Sequence, residues 1–464
     1  MRSGPGALST ARTVPLWSDI LPTEPARPPL SGDTDADVAI VGGGFSGLWT
    51  AYYLAGCDPS LRIVVLEAER VGFGASGRNG GWCSALLPMS PEVLAARYGP
   101  ESARAMQEAM NATVAEVGRV VAEERIDCGF AHGGSLILAR NEAQRRRLTD
   151  ELGSVATLGV DTGQRWLEPG ELRSRLPGTD ALGAVFTPHC AAVQPAALVR
   201  GLARAAERRG VVIHEQSRVT SLLIGGVGLA VGRVRAPVVV RATEAYTTRL
   251  PHQRRALVPL YSLVIATEPL PSDVWARLGW AGRETVGDGR QMVIYAQRTA
   301  DGRIAFGGRG APYHWGSRIR SSYDIHDAVH AALAGTLAEL FPAAAGAAIT
   351  HRWGGPLGVP RDWHASVGYE RASGLAWAGG YVGDGVATAN LAGRTLAAGI
   401  TSSSEQDLLR LPWYGHRSPS WEPEPLRWPA VRALAAIASS IDAHEQRTGR
   451  TPRLRSAILS RLTG

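Results

Sequence analysis

Four apolar residues, Val38-Ala39-Ile40-Val41, run into Gly42-Gly43-Gly44-Phe45-Ser46-Gly47 and then into Leu48-Trp49-Thr50-Ala51-Tyr52-Tyr53-Leu54. This order predicts a strand, a glycine turn and a helix, and it restricts the chain to folds that carry a βαβ unit. Gly42 permits the tight turn, Gly44 lets the backbone approach a pyrophosphate, and Gly47 lets helix and strand pack closely. Phe45 and Ser46 open the helix, where unsatisfied N–H groups and a partial positive charge can face phosphates. Asp37 introduces this strand, and a second one, Arg62-Ile63-Val64-Val65-Leu66, ends at Glu67. Glu67 stands where the fingerprint expects an acid for a ribose hydroxyl, roughly 20 residues past the loop. The segment reads as a dinucleotide cradle.

A chain of 464 residues can bury a large core and is expected to divide into two domains. Its formal charge is +7, but the basic residues are scattered among acidic ones, which argues against a nucleic-acid partner. All 49 Lys-plus-Arg positions are arginine. Arginine stays protonated, so lysine-dependent chemistry such as a Schiff base with pyridoxal phosphate is excluded. Cys57, Cys83, Cys128 and Cys190 fall in no CxxC or Cys/His spacing, so reduced thiols, no metal and a cytoplasmic protein are expected. The Pro-rich first thirty residues do not read as a secretory signal. No run approaches the roughly 20 apolar residues of a membrane span.

Along the chain, residues 1–33 read as an irregular arm that Trp17 and Ile20-Leu21 could pin to the body. Helices are expected over Pro100–Arg125, Glu142–Leu158, Ala196–Arg209, Ser322–Leu340, from Gly385 to about Ile400, and over Trp428–Glu445. Strands are expected at Gly134–Arg140, Val211–His214, Arg218–Ile224, Gly232–Thr243, Leu260–Thr267, Gln291–Gln297, Arg303–Gly308, Ile349–Trp353 and Leu375–Ala378. Strands that return to a Rossmann-like sheet after long excursions imply interleaved domains. The expected class is α/β with α+β elements: a cofactor domain over 34–110, 184–254 and 345–400, and a β-rich substrate domain over 111–183 and 255–344. Residues 401–464 form a C-terminal extension with a helix.

One good fingerprint can serve NAD or FAD, and two features favour FAD. Val71-Gly72-Phe73-Gly74-Ala75-Ser76-Gly77-Arg78-Asn79-Gly80-Gly81 is a second glycine-rich turn that could pass under an extended cofactor. Gly383-Asp384-Gly385 sits at a helix start, where N–H groups and the dipole could stabilise the anionic pyrimidine of a reduced flavin.

With these motifs the chain resembles the glycine/D-amino-acid oxidase (DAO) superfamily of FAD enzymes, in particular its γ-glutamylputrescine oxidase-like branch. The resemblance rests on GGGFSG at 42–47, VVLEAERVGFGASGRNGG at 64–81, Val193-Gln194-Pro195, ATEAYT at 242–247 and GGYVGDGVATANLAG at 379–393. It spans roughly residues 15–400. It implies that Glu67 binds the adenosine ribose and that Ala75 and Ser76 line the pyrophosphate. Arg78, Asn79 and Gly80 would approach the isoalloxazine, Val219 would hold adenine through its backbone, and Gly383, Asp384, Gly385 and Val386 would cover the flavin N1/O2 edge. The implied reaction is hydride transfer from a C–N carbon of a small amine or amino acid to flavin N5, with the imine then hydrolysed.

Two departures narrow that expectation. The sarcosine oxidase branch tethers its flavin through a late cysteine, and the matching stretch here, Arg352–Pro360, contains none. No histidine occurs in 74–87 either, so FAD is expected to be non-covalent. That branch also uses two lysines, for oxygen and for the substrate carboxylate; the matching positions fall near Pro312 and Ala387. Arg309 could supply either charge.

Substrate-facing candidates are Trp82, Tyr261, Tyr295, Arg298, Arg309, Tyr313, Trp353 and Tyr381, of which Arg309, Tyr261, Tyr295 and Tyr381 are the candidate catalytic residues. Three alternatives stay open: a flavin monooxygenase using NAD(P)H, an amine dehydrogenase passing electrons to an acceptor other than oxygen, and a non-catalytic flavin-binding protein. The oligomeric state is not legible in the sequence.

Overall fold

The computed structural model describes residues 8, 10–310, 312–401 and 403–463. Val38–Val41 is a fully buried strand, followed by the helix Phe45–Cys57. This strand pairs in parallel with Ile63–Leu66 on one side and with Val238–Arg241 on the other. The sheet is completed by Val212–His214 beyond Ile63–Leu66, and by Leu375–Gly379 and Ser366–Glu370 beyond Val238–Arg241. Its two faces bury different partners. Val38, Ile40 and Val65 face the helices, while Ala39, Val41, Val64 and Leu66 face a small four-stranded sheet that includes Val219–Leu223. Strands covered on both faces are apolar at every position, which is why Val38–Val41 reads as a continuous run.

On the helical face, Gly385–Ile400 lies directly against Phe45–Cys57. A Cβ on Gly393 would fall 2.7 Å from the Trp49 backbone, so only glycine permits this approach. The helix Pro100–Glu123 buries Met106, Met110, Val114 and Val117 in the same core. It runs unbroken across position 110, where a domain boundary was expected.

An eight-stranded sheet forms the second layer, in the order Ile349–Val359, Val258–Thr267, Ile304–Gly308, Ile294–Arg298, Thr285–Asp288, Ser135–Leu138, Ala184–Thr187 and Arg165–Leu167. Ile349–Val359 is longer than expected and pairs with Val258–Thr267 from Val258↔Val359 to Thr267↔Ile349. It therefore belongs to this sheet, although its sequence position suggested the cofactor body.

Other differences have local causes. The expected strand Gly232–Thr243 is two strands, Gly232–Arg235 and Val238–Arg241, in different sheets. Pro237 lies between them and has no N–H to continue a ladder. The helix expected from Ser322 starts at Asp327, after a short 3₁₀ turn at Ser321–Asp324, with His326 extended at its N-cap. A last helix, Arg453–Thr463, follows Arg427–Thr448 and was not expected. Among the described residues no helix is long and apolar enough to cross a membrane.

Candidate active site

The glycine turn lies at the carboxyl end of Val38–Val41, where the chain leaves this strand on one side and Val238–Arg241 on the other, the crevice in which open α/β sheets bind ligands. Gly42 has φ +113°, and a Cβ there would fall 2.4 Å from the Ala242 carbonyl oxygen. A Cβ on Gly47 would fall 2.0 Å from the Gly42 oxygen, so the turn and the helix it opens can close only on glycine. The resulting trough is lined by Gly42, Gly44, Phe45 and Ser46, and it extends past Glu67 to Val219 at one end and to Gly383, Gly385 and Val386 at the other. A bare cleft that starts on a helix N-terminus and follows glycine backbone suits a long dianionic pyrophosphate ligand.

Glu67 faces the trough, and its two oxygens accept from Gly43 N at 2.7 Å and Glu69 N at 2.9 Å. Burial raises its pKa against those two bonds. Ser76 reaches over the turn, and its Oγ accepts from Phe45 N at 2.8 Å. Ala75 and Asn79 line the same wall.

The segment Arg78–Gly80 is held from behind by three donors. Trp353 Nε1 donates to the Arg78 oxygen at 2.8 Å, Trp17 Nε1 to the Asn79 oxygen at 2.8 Å and Gln297 Nε2 to the Gly80 oxygen at 2.8 Å. With its carbonyls turned outward and bonded, the loop has fixed backbone planes on the cofactor side. The Arg78 side chain pairs with Asp324 at 2.6 Å and donates to the Phe73 and Gly354 carbonyls. Asn79 bonds within its own turn, to Ala75 O, Ser76 O and Gly81 N. The Tyr295 ring lies against Gly80 and Gly307, where a Cβ would come within 2.4 Å and 2.3 Å of it. Its hydroxyl bonds Ser262 Oγ at 2.8 Å, and it faces neither cavity.

At the far end, Tyr381 OH bonds Ser46 Oγ at 2.9 Å, joining the late turn to the first helix. Glu244, at φ +42°, accepts from Gly358 N at 2.7 Å and from Tyr381 N at 3.3 Å. It has no cationic partner among the described residues, and burial raises its pKa to about 7. Asp384 caps the helix Gly385–Ile400 without a side-chain hydrogen bond, and burial raises its pKa to about 6 against the pull of Arg309.

A second cavity, of about 1360 Å³, meets this trough at Leu357 and the Val382-Gly383 turn. Arg309 stands at the junction. Its Nη2 donates to the Val382 oxygen at 2.7 Å, and its guanidinium lies 5.9 Å from the Trp363 ring centre. Among the described residues no carboxylate forms an ion pair with it, and burial lowers its pKa. Tyr261 and Tyr313 also line this cavity, the Tyr261 hydroxyl bonding the Arg320 backbone. Trp353, Trp82 and Arg298 do not: Trp353 is in the clamp behind Arg78, Trp82 donates to Ala296 O, and Arg298 lies over Trp275.

Sequence reasoning missed the three-donor clamp, Glu244 and the second cavity. The clamp residues come from three distant segments, and no local signal joins them. Glu244 gave one, since it lies in the ATEAYT segment directly after a strand.

The model of the FAD dependent oxidoreductase family, DAO, matches residues 37–398. The gamma-glutamylputrescine oxidoreductase of Escherichia coli K12 is 30% identical over 386 residues, which is 81% of this chain and 86% of that protein. A probable oxidoreductase OrdL of Haemophilus influenzae is 29% identical over 389 residues, 82% of this chain and 86% of that protein. Among solved structures, glycine oxidase from Geobacillus kaustophilus superposes with a TM-score of 0.68 at 22% identity, over 82% of this chain and 99% of that one.

Proposed function

The chain belongs to the DAO family of FAD dependent oxidoreductases, and from that premise we propose that it oxidises a C–N bond of a small amino acid or amine whose anionic group rests on Arg309. When bound, FAD would supply the two-electron acceptor for hydride transfer from the carbon beside nitrogen, and water would hydrolyse the resulting imine. In this reading Glu67 holds the adenosine ribose, the Val219 backbone meets adenine, and Ala75 and Ser76 flank the pyrophosphate beside Gly42, Gly44 and Gly47. Gly80 would approach the ring system, with Arg78 and Asn79 contributing through their clamped backbone. Gly383 to Val386 present the helix N-terminus to the pyrimidine edge, where negative charge is stabilised.

Arg309 carries the proposal. A guanidinium at the junction of two cavities, with a backbone carbonyl on one nitrogen, Asp384 acting on it only through space and no carboxylate within ion-pair distance among the described residues, suits the anionic group of a bound substrate. Placing that anion fixes where the reacting carbon lies, and orientation is most of what such a reaction requires of the protein. The Tyr381 hydroxyl is tied to Ser46 and keeps the late turn in register; Tyr295 supports Gly80, and Tyr261 walls the cavity. FAD is held without a covalent bond, since the trough is lined by neither cysteine nor histidine.

A second reading concerns the acceptor. A cation beside the flavin speeds electron transfer to oxygen, and the chain has no lysine to supply one. If the substrate anion neutralises Arg309, the electrons pass to a carrier other than oxygen. Anaerobic titration of the purified flavoprotein with amino acids, amines and NAD(P)H tests the main proposal. Amino acids should bleach the visible flavin band; bleaching by NAD(P)H alone would replace this reading with the monooxygenase one.

A further inference from the structure

Residues 401–464 lie beyond the segment that matches the family, yet they are fastened to the body at several points. Trp421 Nε1 donates to Val359 O at 2.8 Å, and Arg255 Nε donates to the Trp421 oxygen at 2.5 Å. Glu424 accepts from Gly316 N at 3.0 Å and from Tyr313 OH at 3.1 Å. On the helix Arg427–Thr448, Asp442 accepts from Gln291 N at 2.7 Å and Met292 N at 2.8 Å, and Glu445 pairs with Arg147 through both oxygens. These bonds grip the strand end and loops that wall the second cavity, so the helix is a built part of that wall.

Its inner face presents Val431, Leu434, Ala435 and Ala438 at helical spacing, opposite Tyr313 and Trp363. Charged side chains share the wall: Arg147 pairs with Glu445, Arg146 with Glu142 and Asp362 with His416, Arg432 lies over the Trp428 ring at 4.9 Å, and Asp150, Glu151, Arg450 and Arg453 line it as well. The stretch of wall that shares the Val382 turn with Arg309 is apolar: Tyr313, Val359, Val382, Trp421 and Val431 pack as one cluster with Leu260 and Trp363. At about 1360 Å³ the cavity is far larger than a glycine or a methylated amine requires, since sites for much bigger ligands span roughly 300–1,000 Å³.

We propose that the C-terminal helix builds a distal subsite for a large apolar tail, aryl or branched alkyl, on an amino-acid substrate. The inference rests on the reading above, in which the substrate's anionic group sits on Arg309. It adds that selectivity among substrates is set by a segment outside the family match. The tail leaves water for a wall of aliphatic and indole carbon, and the extension supplies one side of that wall.

Two experiments on the full-length holoprotein test this. In the first, 3-phenylpropionate and acetate are titrated into the oxidised protein and followed by perturbation of the visible flavin spectrum. The phenyl acid should bind at least tenfold more tightly; equal affinities would overturn the subsite. In the second, kcat/KM is compared for phenylalanine, in the preferred enantiomer, and glycine. Ala435→Trp, which fills part of the cavity, should lower the phenylalanine-to-glycine ratio at least tenfold, while Ala433→Trp, on the same helix but outside the cavity lining, should leave it unchanged. An unchanged ratio in an Ala435→Trp protein with full flavin content would also overturn the proposal. If tight phenyl-acid binding persists but no amino acid reduces the flavin, the oxidoreductase reading fails and the subsite stands.

Discussion

Arg309 and Glu244 are charged groups of opposite sign enclosed near the same late turn, and neither forms an ion pair among the described residues. An enclosed charge without a partner is costly unless a ligand or hydrogen bonds compensate it. For Arg309 the compensation expected is the substrate anion. Arg309→Met should therefore lower kcat/KM for amino acids by about 100-fold or more, with a much smaller effect on amines that carry no anionic group and no loss of flavin. Steady-state kinetics on both substrate classes checks this. For Glu244 the compensation comes from two backbone N–H groups, and its pKa still rises from 4.5 to about 7. A carboxyl with a raised folded pKa binds more protons when folded, so its stabilising contribution is present below about 4.5 and is lost as pH climbs through 7. Melting temperatures of wild type and Glu244→Gln measured across that window should diverge, the wild type losing more as pH rises.

At the scale of elements, the strand–turn–helix at 38–57 was legible because every residue in it answers to a local rule: alternate burial on two faces, φ +113° at Gly42, close approach at Gly47. Gly44 faces Ser76, whose Oγ lies 2.8 Å from where a Cβ would sit. Gly44→Val should thus displace the serine and the pyrophosphate together, and purified protein should carry no flavin. The clamp behind Arg78–Gly80 was not legible, because Trp17, Trp353 and Gln297 become neighbours only through tertiary packing. Trp353 reads in the sequence as a candidate substrate contact, and its indole instead holds a carbonyl. Trp17 does pin the arm, as its sequence context suggests, and it does so on the back of the Arg78–Gly80 loop. Trp17→Ala should cost about 3–5 kcal/mol of stability, as other large-to-small core changes do, and should weaken FAD retention on dilution.

Across the whole molecule, a six-stranded sheet, parallel but for Ser366–Glu370 at its edge, carries the glycine-lined trough, and a mixed eight-stranded sheet carries the second cavity. They meet at Leu357, Arg309 and the Val382-Gly383 turn. The glycine-lined trough was readable because its tight turn and close helix approach demand glycine at fixed spacing. The second cavity was not, because its walls come from a strand pair, a loop and a C-terminal helix with no shared motif. Trp17 and the segment 421–445 reinforce this junction, the first from behind the Arg78–Gly80 loop and the second from one side of the cavity. In the proposed reaction electrons enter from a substrate carbon bonded to nitrogen. Anaerobic stopped-flow reduction of the bound flavin by an amino acid, with hydrogen or deuterium on the α-carbon, tests it most directly. Reduction should be several-fold slower with deuterium, as cleavage of that C–H bond requires. An unchanged rate in a step shown to be chemical, or a flavin that amino acids leave oxidised, would contradict it.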